Sequence, residues 1–332
     1  MSKICPKATD CVLAITYSCN SRCEMCDIWK IKNYPEFSRE EVKKLPTTLR
    51  DINISGGEPF LRKDLPDFIA EVVKTCPKAR IVISSNGFAT ALIVEQMKKI
   101  LAIKPDIGVA ISIDGIGEMH NEIRGIPEGF NKDVATIKAL QELGMKNLRV
   151  AFTVMEKNIN HLSRVYQLSR DLGVEFAHSF AQSSDFYFGG KQNVNNPNRE
   201  LLNKQYQFLI AEELKTWRIK NWLRAYFAYG MYKFITSKSP VLSNAPGRDF
   251  FFIDPDGIIY PSVVHNVPLA NIREIKNFET FWCSEEMNEK RKQIDALKMP
   301  VWMICTSRTA MKSHPLNVFW WIFKNKVFGA SL

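Results

Sequence analysis

No stretch of this 332-residue chain approaches the ~18 consecutive apolar residues of a membrane-crossing helix. Residues 1–10 lack the long apolar core of a secretory signal, so a cytoplasmic location is expected. There is no internal repeat and no low-complexity tract, which sets aside solenoids, propellers and disordered linkers. No recognised nucleic-acid module is present, and nucleic acid is not an expected partner. The lysines and arginines behind the net charge of +10 are scattered rather than gathered in one block. That surplus reads first as a solvated basic surface; an acidic redox partner, an anionic substrate or a membrane surface are the functional readings. Cysteine is scarce in the second half: after Cys76 only Cys283 and Cys305 occur. Eight cysteines at irregular spacing, without a secretory signal, point to a reducing compartment.

What is present is an ordinary globular composition, 45% hydrophobic with mixed charge. At this length, one large domain or one domain with an extension is expected. The first half alternates two periodicities. Apolar runs at 12–17, 52–54, 81–83, 107–113, 148–154 and 175–180 read as strands, and 65–74, 91–101, 132–143 and 162–172 read as amphipathic helices. That alternation implies parallel strands with crossover helices. Six such units are too few for a closed eight-unit barrel.

Residues 189–198 are rich in Gly and Asn and read as a loop and boundary. The segment 199–236 then reads as one or two helices crowded with aromatics. Residues 250–253, Asp254-Pro255-Asp256-Gly257 and 258–260 read as a hairpin. The tail, 315–332, reads as a terminal helix docking through Trp320, Trp321 and Phe323 with Lys324 and Lys326 outward. An amphipathic membrane-interface helix is the alternative.

Chemistry concentrates in Cys19, Cys23 and Cys26, spaced C-x3-C-x2-C. Three thiolates on one loop cannot close a four-thiolate zinc or iron–sulfur site. They can hold three irons of a four-iron cluster and leave the fourth open. Spacing alone leaves buried reduced cysteines or part of a zinc site equally open. Three further loops each follow an apolar run: Ser55-Gly56-Gly57-Glu58-Pro59, Ser84-Ser85-Asn86-Gly87 and Ser112-Ile113-Asp114-Gly115. Loops at the C-terminal ends of strands are where such barrels place chemistry.

Those motifs in that order, extended by His120 and Arg124-Gly125, closely resemble the radical S-adenosylmethionine (radical SAM) enzymes over roughly residues 11–180. The resemblance implies an α/β fold, a partial (β/α)6 TIM-type barrel. It implies one [4Fe-4S] cluster on Cys19, Cys23 and Cys26 with S-adenosylmethionine on the open iron. It implies cofactor contacts from Gly56, Gly57, Glu58, Asn86, Ser112, Asp114 and Arg124. Met25 stands where the family often has an aromatic residue near adenine. Reductive cleavage of S-adenosylmethionine to a 5′-deoxyadenosyl radical, followed by abstraction of a substrate hydrogen, is the implied activity. A flavodoxin- or ferredoxin-type electron donor follows as a partner. No catalytic side chain can be named; His120 reads first as a hydrogen-bonding surface residue on a loop. Asp185, His178 and Tyr187 are expected at the barrel mouth as substrate contacts.

Residues 244–310 resemble the SPASM-type extension of peptide-modifying radical SAM enzymes, in which cysteines hold auxiliary clusters. Asn244, Ser262, Lys298 and Val301 occupy expected cysteine positions, and only Cys305 remains. The division implied is a core over 1–188, a helical linker over 189–240 and a SPASM-like extension over 241–332 with its metal sites lost and a C-terminal helix. The expected substrate is a peptide or natural-product precursor. A nucleotide, sugar or lipid precursor is the enzymatic alternative, and a non-catalytic iron–sulfur scaffold is the alternative outside enzymes.

Overall fold

The computed structural model describes residues 5–194, 196–329 and 332. Nine strands form one sheet. Six belong to the first half: β1 (Asp10–Ala14), β2 (Asp51–Ser55), β3 (Arg80–Ser85), β4 (Gly108–Ser112), β5 (Leu148–Val154) and β6 (Glu175–Phe180). Three belong to the second: β7 (Phe250–Ile253), β8 (Ile258–Tyr260) and β9 (Ala270–Asn271). Their order is β6-β5-β4-β3-β2-β1-β7-β8-β9, and β6 through β7 are all parallel. The sheet is open, as six units require, and it is a partial barrel.

The strand residues explain the parallel arrangement. β1 and β4 are buried along nearly their whole length, which suits strands covered on both faces. Crossovers between them carry α1 (Arg39–Val42), α2 (Leu65–Thr75), α3 (Thr90–Ile103), α4 (Glu118–Arg124), α5 (Gly129–Glu142) and α6 (Leu162–Asp171). In α2 the buried residues Leu65, Phe68, Ile69 and Val72 follow the i, i+3, i+4, i+7 stripe of an amphipathic helix. A proline early in α2 fixes the entry, and Cys76 with Pro77 ends it. Cys76 is buried and its thiol reaches the Pro46 carbonyl at 3.6 Å, a structural role.

The predicted strands at 148–154 and 175–180 have those bounds. The first begins and ends earlier than predicted, because after Ala14 only Ile15 stays in register, its N–H donating to the Ser55 carbonyl at 3.0 Å. The chain then turns toward the cysteines. The aromatic segment is two helices, α7 (Arg199–Lys215) and α8 (Ile219–Ser237).

The extension holds α9 (Phe278–Trp282), α10 (Glu285–Ala296), α11 (Ile304–Ser313) and α12 (Pro315–Phe328). Its hairpin is real: Phe252 faces Tyr260 across β7 and β8, with Gly257 at φ +79 closing the turn. What periodicity did not reveal is that β7 pairs parallel with β1, Asp10 opposite Phe250 through Leu13 opposite Ile253. The extension therefore continues the core sheet. Trp302 is fully buried, donates its indole N–H to the Phe227 carbonyl at 3.0 Å, and packs so closely on α8 that a side chain at Gly230 would strike its ring.

Two sequence expectations are corrected. Cys5 and Cys283 form a disulfide across 278 residues of chain, so the eight cysteines are not uniformly reduced. Nothing in their spacing announced it. The tail helix α12 is also less buried than predicted. Trp320 is 63% and Phe323 47% exposed, while Trp321 packs on Tyr226 and Tyr229. Lys326 is not outward: it lies over the Trp217 and Trp222 rings and donates to the Leu214 and Thr216 carbonyls at 2.8 and 3.1 Å. Among the described residues no helix is long and apolar enough to cross a membrane.

Candidate active site at the strand ends

The cysteine loop leaves the end of β1 and is stitched to the loops after β2, β3 and β4 by named bonds. The Gly57 N–H donates to the Thr16 carbonyl at 2.7 Å, and the Glu58 N–H to the Ser18 carbonyl at 2.8 Å. A Cβ on Gly56 or Gly57 would collide with those same carbonyls of Thr16 and Ser18. The glycines are thus required first by chain packing on chain.

Glu58 is 1% exposed and joins two loops. Its carboxylate accepts from the Phe60 N–H at 3.1 Å, the Ser85 hydroxyl at 3.1 Å and the Asn86 N–H at 2.7 Å. Burial pushes its pKa up to about 7 against those donors. Asn86 continues the chain of contacts: its side-chain amide donates to Asn20 Oδ1 at 2.6 Å and lies 3.9 Å from the Cys19 sulfur. Asn20 sits between the first two cysteines, and its part was not evident from the motif.

The Arg124-Gly125 end of α4 closes the other side. The Arg22 and Glu24 N–H groups donate to the Arg124 and Ile123 carbonyls at 3.0 and 2.8 Å. Gly125, at φ +63, faces Arg22 so closely that a Cβ would meet its carbonyl. The Arg124 guanidinium is buried, lies 2.5 Å from Asp114 Oδ2, and reaches the Cys23 sulfur at 3.6 Å. Ser21 Oγ is 3.1 Å from that same sulfur. Asp114 also accepts from the Thr153 N–H at 2.6 Å. Burial raises its pKa while Arg124 opposes the shift. Ser112 ends β4 beside Ala151 of β5.

His120 is wholly buried. Its Nδ1 accepts from the Asp114 N–H at 3.0 Å, and its Nε2 stands 3.1 Å from Asp133 Oδ2. Burial, then Arg124, lowers its pKa to about 3, so the ring is neutral. An accepting Nδ1 places its proton on Nε2, toward Asp133. His120 is therefore a packing residue behind Arg124, buried within α4 rather than the hydrogen-bonding surface residue expected.

Of the three residues expected at the mouth, His178 is not there. It lies within β6 and packs against Phe176, Tyr206 and Phe227, on the side of α7 and α8. The alternation of β6 sends it to that face. Tyr187 is buried against Phe252, and Asp185 is exposed and accepts from Gln192 at 2.7 Å.

Sequence reasoning missed the clamp over the cysteine loop. The Asp27 N–H donates to the Phe188 carbonyl at 2.9 Å. Asn193 donates to the Met25 and Gln182 carbonyls at 3.1 and 2.8 Å. Asn193 lies in the Gly/Asn-rich stretch, where composition announces a loop and nothing more. Met25 itself packs with Cys23, Ile123, Met119 and Met155.

Cys19, Cys23 and Cys26 are free thiols, each half-buried. Burial pushes Cys19 up to about 11 and Cys26 up to about 12, so at neutral pH both stay protonated until a cation displaces the proton. Among the described residues no three His, Cys, Asp or Glu side chains converge on one metal-ion position. A multi-iron cluster needs no such convergence, since each thiolate takes a separate iron. Three unpaired thiols on one loop, ringed by Asn86, Ser21 and Arg124, fit a [4Fe-4S] cluster with one open iron.

The extension lacks that donor set. Asn244 donates to the Val301 carbonyl, Ser262 Oγ lies 2.7 Å from His265 Nδ1, and His265 Nε2 lies 3.2 Å from the Met299 carbonyl. Ser262, His265 and Val301 are all buried. Hydrogen bonds among side chains and to the main chain occupy positions where the SPASM-type pattern has cluster cysteines.

Residues 13–167 match the radical SAM superfamily. The chain is 31% identical over 169 residues to the sporulation killing factor maturation protein SkfB of Bacillus subtilis, covering 49% of this chain and 40% of that protein. It is 26% identical over 299 residues to an AdoMet-dependent heme synthase of Oleidesulfovibrio alaskensis, covering 82% and 74%. The first match thus spans less than half of the relative's length. In fold it resembles SuiB of Streptococcus suis bound to S-adenosylmethionine, with a TM-score of 0.61 at 13% identity over 84% of this chain and 66% of that one. The chain carries a radical SAM domain, whose cofactors are a [4Fe-4S] cluster and S-adenosylmethionine.

Proposed function

We propose that this radical SAM protein is an enzyme that cleaves S-adenosylmethionine reductively and removes a hydrogen atom from a peptide or other natural-product precursor. The observation that carries the reading is the convergence of four strand-end loops on Cys19, Cys23 and Cys26 through Glu58, Asn86 and Arg124. Cysteine spacing alone fits several metals; cysteines locked to those three loops fit one cofactor pair. When bound, the cluster and S-adenosylmethionine supply the electron and the radical precursor.

The chain's own residues hold and orient. Cys19, Cys23 and Cys26 ligate iron. Gly56 and Gly57 fix the loop height, and Glu58 and Asn86 fix the spacing of the loops after β2 and β3. Arg124 sets a positive charge beside the Cys23 sulfur. Asp114 holds Arg124 in place, and Ser112 ends β4 two residues before Asp114. With its Nε free of a hydrogen-bond partner among the described residues, Arg124 retains a donor for a carboxylate such as that of methionine.

SkfB is named as a maturation protein of a sporulation killing factor, which supports a precursor such as a peptide as substrate. A specific observation favours a second reading, a small molecule: the heme synthase match spans far more of both chains. An acidic flavodoxin- or ferredoxin-type donor suits the net charge of +10, and the cytoplasm suits both the donor and the cluster. The test is anaerobic reconstitution followed by assay for 5′-deoxyadenosine and methionine. Both should form under strong reduction and vanish when all three cysteines become alanine. Iron-loaded protein that yields neither, with or without candidate substrates, would leave the scaffold reading instead.

A further inference from the structure

Helix α12 is apolar all the way round, and only half of it is covered. Val318, Trp321, Ile322 and Asn325 form its inner face, with Trp321 set against Tyr226 and Tyr229 of α8. On the opposite face Leu316, Phe319, Trp320, Phe323 and Val327 stand 71, 56, 63, 47 and 57% exposed. At 100° per residue these five fall within an arc of about 100°, a continuous stripe along the helix. Phe319, Trp320 and Phe323 pack on one another, so the stripe is a formed surface. At the α7–α8 junction, tied to α12 through Lys326, Trp217 and Ile219 stand 84 and 67% exposed.

We infer that this face is a membrane-interface anchor that lies in the headgroup layer of an anionic bilayer. Charge decides between a bilayer and a second copy of the chain. No aspartate or glutamate occurs after Asp295, while Lys298, Arg308, Lys312, Lys324 and Lys326 do. Lys324 is exposed on α12, and Arg218 and Lys215, the latter paired with Glu212, are exposed at the neighbouring α7–α8 junction. Two copies of a +10 chain meeting through this face would bring like charges together; an anionic surface would neutralise them. The composition agrees: Trp and Phe are interfacial residues, with an apolar body and, for Trp, one polar N–H. With 14 residues, α12 is too short to span and suited to lie flat.

The experiment uses the full chain and vesicles of phosphatidylcholine with or without phosphatidylglycerol, read by co-sedimentation. Binding to the anionic vesicles is expected, with a blue shift of tryptophan emission and weakening at high salt. The variant Phe319→Ser/Trp320→Ser/Phe323→Ser should bind at least about tenfold more weakly with unchanged thermal stability, because the three side chains are exposed. Lys324→Glu should weaken binding to anionic vesicles only. Should the triple variant misfold, quenching of wild-type tryptophan by brominated lipid gives the same answer. Absence of binding and of quenching in the intact chain would overturn the inference. So would vesicle binding indifferent to the triple substitution, or a concentration-dependent dimer that the substitution dissolves.

Discussion

The two halves of this sheet solve the same construction problem with different chemistry. In the first half, loops after β1 to β4 are held together around three free thiols: Glu58 bridges two loops, and Arg124 with Asp114 bridges two more. In the second, the places expected to carry thiols are filled by Asn244, Ser262 and Val301, and the loops are held by direct bonds through His265 and the Met299 and Val301 carbonyls. The first half keeps three free thiols; the second closes on itself through direct bonds. A cluster-bearing extension can lose its metal and keep its shape when short polar bonds and large apolar side chains take over the crosslinks. Phe252, Ile253, Tyr260, Trp282 and Trp302 are all buried there.

The sharpest way to break the comparison is through the buried ion pair of the core. Asp114→Ala strands the Arg124 guanidinium, and stability should fall by about 3–5 kcal/mol by denaturant unfolding. Asp114→Asn, which retains an acceptor, should lose less. Equal losses would show that only the charge of Asp114 matters, and an Asn variant as stable as wild type would show that Asp114 acts only by filling space.

Glycine positions compare the halves at the next scale. Gly57→Ala should push the cysteine loop from the loop after β2, and Gly230→Ala should push Trp302 from α8. Overpacking of this kind costs about 1–3 kcal/mol. Only the first should also reduce iron incorporation, measured per folded chain. Iron loss in Gly230→Ala as well would mean that the halves are not separable.

Each half also buries a carboxyl with a pKa near 7: Glu58 in the core and Asp254 in the extension, both raised mainly by burial. A carboxyl raised in the folded state contributes fully below its unfolded value and loses that contribution as pH rises through the folded one. Both windows run from the ordinary carboxylate range to about 7. Glu58→Gln and Asp254→Asn should therefore gain stability relative to wild type, on the order of 1–3 kcal/mol, between pH 5 and pH 8. Parallel pH profiles for wild type and variants would show that these groups ionise freely.

How far the sequence foretold these features depends on the range of the interactions that set them. The cysteine loop, the three strand-end loops and the six β/α units are local patterns, and all were legible. The density of contacts among the loops was not. Asn193 over Met25, Asn20 against Asn86, and Asp133 behind His120 each join residues far apart in sequence through single polar atoms. The same holds for β7 beside β1 and for the disulfide from Cys5 to Cys283. Tail exposure was illegible for a different reason: a helix apolar on every side does not say which side is covered.

The smallest expected effect lies in the extension. Ser262→Ala leaves His265 Nδ1 without its hydroxyl partner, a loss of about 1–2 kcal/mol with iron content unchanged. A drop in iron would place metal where the comparison denies it.

Iron and acid-labile sulfide per chain, measured on anaerobically purified and reconstituted protein, test the contrast between the halves most directly. One fully loaded cluster on Cys19, Cys23 and Cys26 gives about four of each, and replacing those three cysteines should bring both to near zero. A reproducible value near eight, with a cluster signal that survives the loss of the three cysteines, would contradict it.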